Sequence, residues 1–219
     1  MRLLELFCGV NHSVGKVAHT LGWEVTSVDI NPKASPDHLL DILDFDETAY
    51  SKDHFDFIWA SPPCESYSTG RTVAKIPRDQ AMEKADRLVS KTRQIIAYFS
   101  EGGCHWAIEN PAYSRIWTRE VSRGLLENSC ITSYCSFGTL YRKDTRIANS
   151  FGLVLPRCPG VGLCPAMIGS RHREWAQKGA DIKKGGATQR NHSLNELHSI
   201  PSELCMSVLA QVEKMISLS

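Results

Sequence analysis

Short apolar runs alternate with longer segments of helical spacing along the first half of the chain. RLLELF (2–7) is apolar but for its charges, the pattern of a strand buried on both faces. A glycine-bearing turn and VGKVAHTLG follow, predicting a short helix that ends at Gly22. WEVTSVDI (23–30) alternates in part and predicts a second strand, and HFDFIWAS (54–61) a third, leading to Cys64. From Asp79 to Phe99, apolar or small residues stand at 82, 85, 89, 92, 96 and 99, one face of a helix. CHWAIEN (104–110) returns to strand character, and Pro111 ends it. A last helix begins near Ser202 and carries Leu204, Val208, Val212 and Met215 on one face.

Strand, helix, strand repeated from residue 2 to about 110 predicts an α/β fold with a doubly wound, mostly parallel sheet. Such sheets bind ligands beyond the carboxyl ends of their strands. Four polar clusters, at 8–15, 29–31, 61–68 and 109–113, fall at those ends, and their coincidence points to one site. After Gly138 the texture changes. Residues 156–192 are rich in Gly, Pro and basic residues with little periodicity, a long loop or small subdomain. The expected organisation is a core over 1–150, a short irregular basic insertion over 151–195, and a terminal helix over 196–219 packing back on the core.

Charge refines that division. The 219 residues carry a net charge of only +1, which by itself argues for no partner. From Leu140 to Arg190, however, ten Lys or Arg face only Asp144, Glu174 and Asp181, so this segment is +7 and the rest of the chain −6. A basic region of this size suits nucleic-acid phosphates or a solvated loop. No run of residues reads as a signal peptide or a membrane span, and the eight cysteines are scattered. Reduced thiols in a cytoplasmic or nuclear compartment are the expectation, with no membrane partner.

The polar clusters carry residue types suited to chemistry. Gly9 allows close backbone approach to a ligand after the first strand. Asp29 ends the second strand, where a carboxylate can bind both hydroxyls of a ribose, and Asp41 before Ile42 suits the edge and face of an adenine. Cys64 follows Ser61-Pro62-Pro63, a stiff mounting for a thiol. The thiolate is the reactive form, so a functional Cys64 calls for a lowered pKa or a nearby base. Glu109, at the end of a neighbouring strand, can be kept protonated by partial burial and serve as an acid or donor.

In order along the chain, LELFCG, VDINP, DIL, SPPCESYS, IENP and YRKDTRI resemble six successive motifs of the cytosine-C5 DNA methyltransferases. The pairing of Pro-Pro-Cys with Glu-Asn is the specific part. The resemblance covers residues 3–147, and more loosely LNELHSIP before the last helix; it is nearest to a compact, virus-associated branch with a very short recognition region. It implies a Rossmann-like S-adenosylmethionine (SAM) methyltransferase acting on DNA, with cytosine in RNA or tRNA as the alternative substrate and a non-catalytic SAM- or nucleic-acid-binding module as the alternative role. Phe7 and Gly9 would line SAM with Ile30 and Pro62 beside it, Asp29 would hold its ribose, and Asp41 with Ile42 its adenine. Cys64 would add to C6 of a cytosine that is flipped out or single-stranded, making C5 electron-rich. Glu109 would hydrogen-bond N3 and the exocyclic amine, and Arg146 with Arg142 would stand near O2 and the phosphates.

Three departures from the family pattern are visible. The family's Gly-x-Gly turn is replaced by Gly9 followed by VNHSVG, its glutamine-bearing eighth motif by YRKDTR, and its large recognition domain by residues 147–195. Within that short stretch, Cys158, Cys164 and His172, with Cys135 upstream, have the ligand types of a structural zinc site. The Cys-x5-Cys spacing is longer than the usual knuckle, so the expectation is ordinary buried thiols and an exposed histidine.

Overall fold

The computed structural model describes residues 1–67, 77–176 and 192–218. Seven strands form one sheet: β1 (Arg2–Leu6), β2 (Glu24–Asp29), β3 (His38–Leu39), β4 (Phe57–Ala60), β5 (His105–Pro111), β6 (Ser129–Ser133) and β7 (Asp144–Asn149). Their spatial order is β3-β2-β1-β4-β5-β7-β6, with every pair parallel except those made by β7. A two-residue hairpin, β8 (Met167–Ile168) with β9 (Arg171–His172), lies apart.

Alternation along the central strands explains the layers. Leu3, Phe57 and Trp59 point to one face, where α1 (Ser13–Thr20) and α4 (Ser202–Ile216) pack. Leu4, Leu6, Ile58 and Ala60 point to the other, under α2 (Arg78–Ser100). All six positions of the expected helical face, Met82, Ala85, Val89, Thr92, Ile96 and Phe99, are buried. Each large apolar side chain among them contributes about 1.5–3 kcal/mol by leaving water. On α4, Leu204, Val208 and Val212 are buried as expected, but Met215 is exposed; Cys205 and Leu209 complete the face instead.

The sequence pattern missed two features. Between β2 and β4 no helix of ordinary length forms, because Asp41 and Asp46 each cap a single 3-10 turn through the backbone N–H two residues on. Phe151, Leu153 and Leu155 also belong to the core on the α1/α4 face, so the irregular segment begins only after them. The chain leaves β1 toward β2 on one side and reaches β4 on the other, and a crevice opens at that switch point.

Candidate active site

At the carboxyl ends of the strands lies a cavity of about 610 Å³, within the roughly 300–1,000 Å³ of small-molecule sites. Phe7, Gly9, Asp29, Ile30, Asp41, Ile42, Pro62, Cys64 and Glu109 all line it. The first six come from the β1–β3 side of the switch point and the last three from β4 and β5.

The turn after β1 is bent by left-handed residues: Phe7 at φ 58°, Gly9 at φ 58° and His12 at φ 43°. A Cβ on Gly9 would stand in open space, with no atom within 4 Å. Asp29 ties this turn to its own strand end, accepting the Gly9 N–H at 2.8 Å and the Asn31 N–H at 2.7 Å on separate oxygens. Each oxygen keeps a free lone pair for a ligand. Beneath the turn, the buried Glu5 accepts the Val14 N–H at 3.1 Å. A Cβ on Gly15 would meet the other Glu5 carboxylate oxygen at 2.5 Å, so any larger residue there requires the Glu5 side chain to shift. His12 donates to the Ala34 carbonyl, and the Glu5 carboxylate raises its pKa above the ordinary value. The family's second glycine position is Asn11 here, and its amide reaches the Asn195 carbonyl at 2.7 Å, fastening the wall of the cavity formed by 195–200.

On the reacting side, Asn110 donates to the Pro62 carbonyl at 2.8 Å and so fixes the Pro-Pro turn against β5. Tyr67, fully buried, donates to Asp86 on α2, which Arg119 grips through two nitrogens. Cys64 therefore sits between two anchored points. Glu109 is only 7% exposed, and the Thr145 hydroxyl donates to its carboxylate while lying 2.9 Å from the Asn110 carbonyl.

The expected lowering of the Cys64 pKa is not found. Burial, with Glu65 and Glu109 nearby, pushes the thiol from the ordinary 9.0 up to about 11, and only the Lys143 charge and a backbone hydrogen bond oppose this. The neighbouring carboxyls act as like charges rather than as a base. At a given pH below 9 this cuts the thiolate fraction about 100-fold, while the more basic thiolate is intrinsically about 10-fold more nucleophilic. Iodoacetamide should thus label Cys64 about 10-fold more slowly than a free thiol at pH 8. The rate should climb about tenfold per pH unit and level off near 11. Peptide mass spectrometry following Cys64 alone would read this; a plateau at or below pH 9 would refute the environment described.

Arg146 is not brought to the cavity. In the antiparallel β7 it pairs with Asn110, on the face opposite Glu109, where it donates to Ser129 at 2.8 Å and lies over the Trp117 ring. Arg142 is also elsewhere, in a two-pronged pair with Asp144 at 2.7 and 2.9 Å. Two lysines line the cavity instead: Lys84 of α2, and Lys143, which donates to the Leu197 carbonyl at 2.7 Å. Leu197 and His198 line it too, behind a complete Ser193–Glu196 capping box. That S-x-x-E pattern was the available signal for an ordered wall here. Of the basic segment, Lys178, Lys183, Lys184 and Arg190 lie outside the described residues. Cys135, Cys158, Cys164 and His172 are not scattered thiols and an exposed histidine: their ligand atoms gather within 4.8 Å of one another. Among the described residues no helix is long and apolar enough to cross a membrane.

No protein-family model matches the chain. A curated relative, named "Probable DNA (cytosine-5)-methyltransferase", from Frog virus 3 (isolate Goorha), is 32% identical over 188 residues, 76% of this chain and 79% of that protein. Among solved structures, the Entamoeba histolytica methyltransferase EhMeth is 15% identical, with 72% of this chain and 56% of that one covered and a TM-score of 0.49. The S. pombe Dnmt2 methyltransferase is 17% identical, with 71% and 52% covered and a TM-score of 0.47. The chain spans about half the length of these solved structures.

Proposed function

The chain belongs to the cytosine-C5 DNA methyltransferase family, and we propose that it transfers a methyl group from S-adenosylmethionine to C5 of cytosine in DNA. The observation that carries this reading is the single cavity that joins the acidic strand ends of Asp29 and Asp41 to Cys64 and Glu109. When bound, SAM supplies the electrophilic methyl group. The residues fit it: Gly9 opens onto free space, Asp29 has lone pairs for ribose hydroxyls, and Asp41 with Ile42 offers an acceptor and an apolar face to adenine. Phe7, Ile30 and Pro62 complete the lining.

On the β4–β5 side, Cys64 gives up its proton to water and bonds through sulfur to C6, which moves the electron pair of the C5–C6 double bond toward C5 and N3. Glu109, taking up a proton when the base binds, donates to N3 and accepts from the exocyclic amine, stabilising the charge that develops on the ring. Once C5 carries the methyl group, water takes the C5 proton, the C–H electron pair restores the double bond, and Cys64 leaves as the thiolate. A cytosine stacked in a duplex cannot present C6 to a thiol that lines a cavity, so the base enters flipped or unpaired. Lys143 lines the same cavity with a charge that opposes the rise of the Cys64 pKa, and together with Lys84 it offers positive charge to an incoming nucleotide.

Methyl-tritiated SAM offered with duplex DNA, single-stranded DNA and RNA in separate reactions tests the reading. Label should appear in DNA as 5-methylcytosine. Label confined to RNA would move the same chemistry to another substrate, and no label in any of them, with SAM shown to bind, would leave a binding module.

A further inference from the structure

Among the described residues outside the cavity, one Cys/His cluster is unused by this chemistry: Cys135, Cys158, Cys164 and His172. We propose that these four residues bind a structural zinc ion that fastens the 156–174 segment to the catalytic sheet. This rests on their surroundings in the fold and not on the methyl-transfer reading.

The distances are those of a tetrahedral site. With Zn–S near 2.3 Å and Zn–N near 2.0–2.1 Å, a tetrahedron has an S···N edge of about 3.6 Å. The His172 Nε2 atom lies 3.5 Å from the Cys158 sulfur and 3.6 Å from the Cys164 sulfur. Four ligands drawn from four separate stretches converge through specific backbone devices. Cys135 is buried in the 3-10 turn directly after β6. Cys158 is held by its N–H to the Ser133 hydroxyl at 3.0 Å. The loop to Cys164 turns through Gly160 and Gly162, at φ 87° and 79°, and closes with the Cys164 N–H on the Gly160 carbonyl. The β8–β9 hairpin then folds back so that His172 stands opposite Met167.

A second reason is the poverty of the local core. The buried cluster here is Cys135, Cys164 and Ala166, with Cys158 and Met167 at its margin, whereas Val161, Leu163 and Ile168 are more than 60% exposed. So little apolar burial does not offset the ordering of some twenty residues at roughly 1–2 kcal/mol each, and a structural metal supplies that deficit in small units. Three thiolates and a neutral imidazole around Zn²⁺ leave a net negative charge. Arg142, fixed by Asp144 and acting electrostatically on Cys158, provides the compensating cation. Ser133 links Cys158 to that same Asp144, at 3.0 and 2.7 Å, and Asp144 begins the strand whose Thr145 holds Glu109.

Elemental analysis of the chain purified without added metal should find about one zinc per chain, and X-ray absorption at the zinc edge about three sulfurs near 2.3 Å and one nitrogen near 2.0 Å. Cys164→Ser should lose most of the zinc, while His172→Cys should retain it with four sulfurs, separating ligation from a general failure to fold. Cys64→Ser should retain full zinc, setting the catalytic thiol outside the site. The proposal is overturned if the folded chain contains no zinc and takes up none on titration. It is equally overturned by a Cys158–Cys164 disulfide in freshly purified protein, or by zinc that persists in Cys164→Ser combined with His172→Ala.

Discussion

Cys64→Ala is expected to lower methyl transfer by about 10⁴-fold or more, with SAM affinity changed by less than about threefold. The size follows from the chemistry. Without addition at C6, C5 of a neutral cytosine is a poor nucleophile, and among the described residues no other thiol lines the β4–β5 side of the cavity. The cofactor half of the cavity is built by the β1–β3 ends and does not use Cys64. An oligonucleotide containing 5-fluorocytosine makes the step visible, because loss of the C5 substituent is blocked and the enzyme stays attached. With SAM, the wild-type chain should give a denaturation-resistant adduct at Cys64, and Cys64→Ala none. An adduct of undiminished yield in the variant would assign the nucleophile to another residue. The raised thiol pKa, about 11, adds a condition: adduct yield should rise with pH through the range below 11.

The strand-end clusters were legible in the sequence because a parallel sheet gathers its site from local loops, each spelled by a few adjacent residues. Asp29, Asp41, Cys64 and Glu109 needed only strand order to meet. The six-residue face of α2 was legible for a similar reason, since a 3.6-residue period is a local property. Arg146 was not. Its side of β7 depends on register in an antiparallel strand, where a shift of one residue exchanges the faces; Thr145 turns to Glu109 and Arg146 turns away. Lys143 was hidden among ten basic residues, and only the position of 195–198 marks it out. The Cys/His cluster defeated a spacing rule drawn from continuous knuckles, because Cys135 joins it from the end of β6 and His172 from a separate hairpin.

Glu109→Gln should reduce kcat by about 10²–10³-fold while KM for the oligonucleotide moves by less than about fivefold. The amide keeps the shape of the carboxyl and can still donate to N3 and accept from the exocyclic amine, so ground-state contacts survive. It cannot deliver a proton to N3 as negative charge builds there, and that loss falls on the transition state alone. Position matters as much as acidity: the Thr145 hydroxyl and the pairing of β5 with β7 hold this side chain, 7% exposed, at the strand end that faces the Cys64 turn. Single-turnover assays would separate the terms. In Glu109→Gln the rate of adduct formation on 5-fluorocytosine should fall in step with kcat, because addition at C6 is the step that charges the ring. Equal rates of adduct formation in wild type and variant would remove Glu109 from that step and leave it a role in positioning the base.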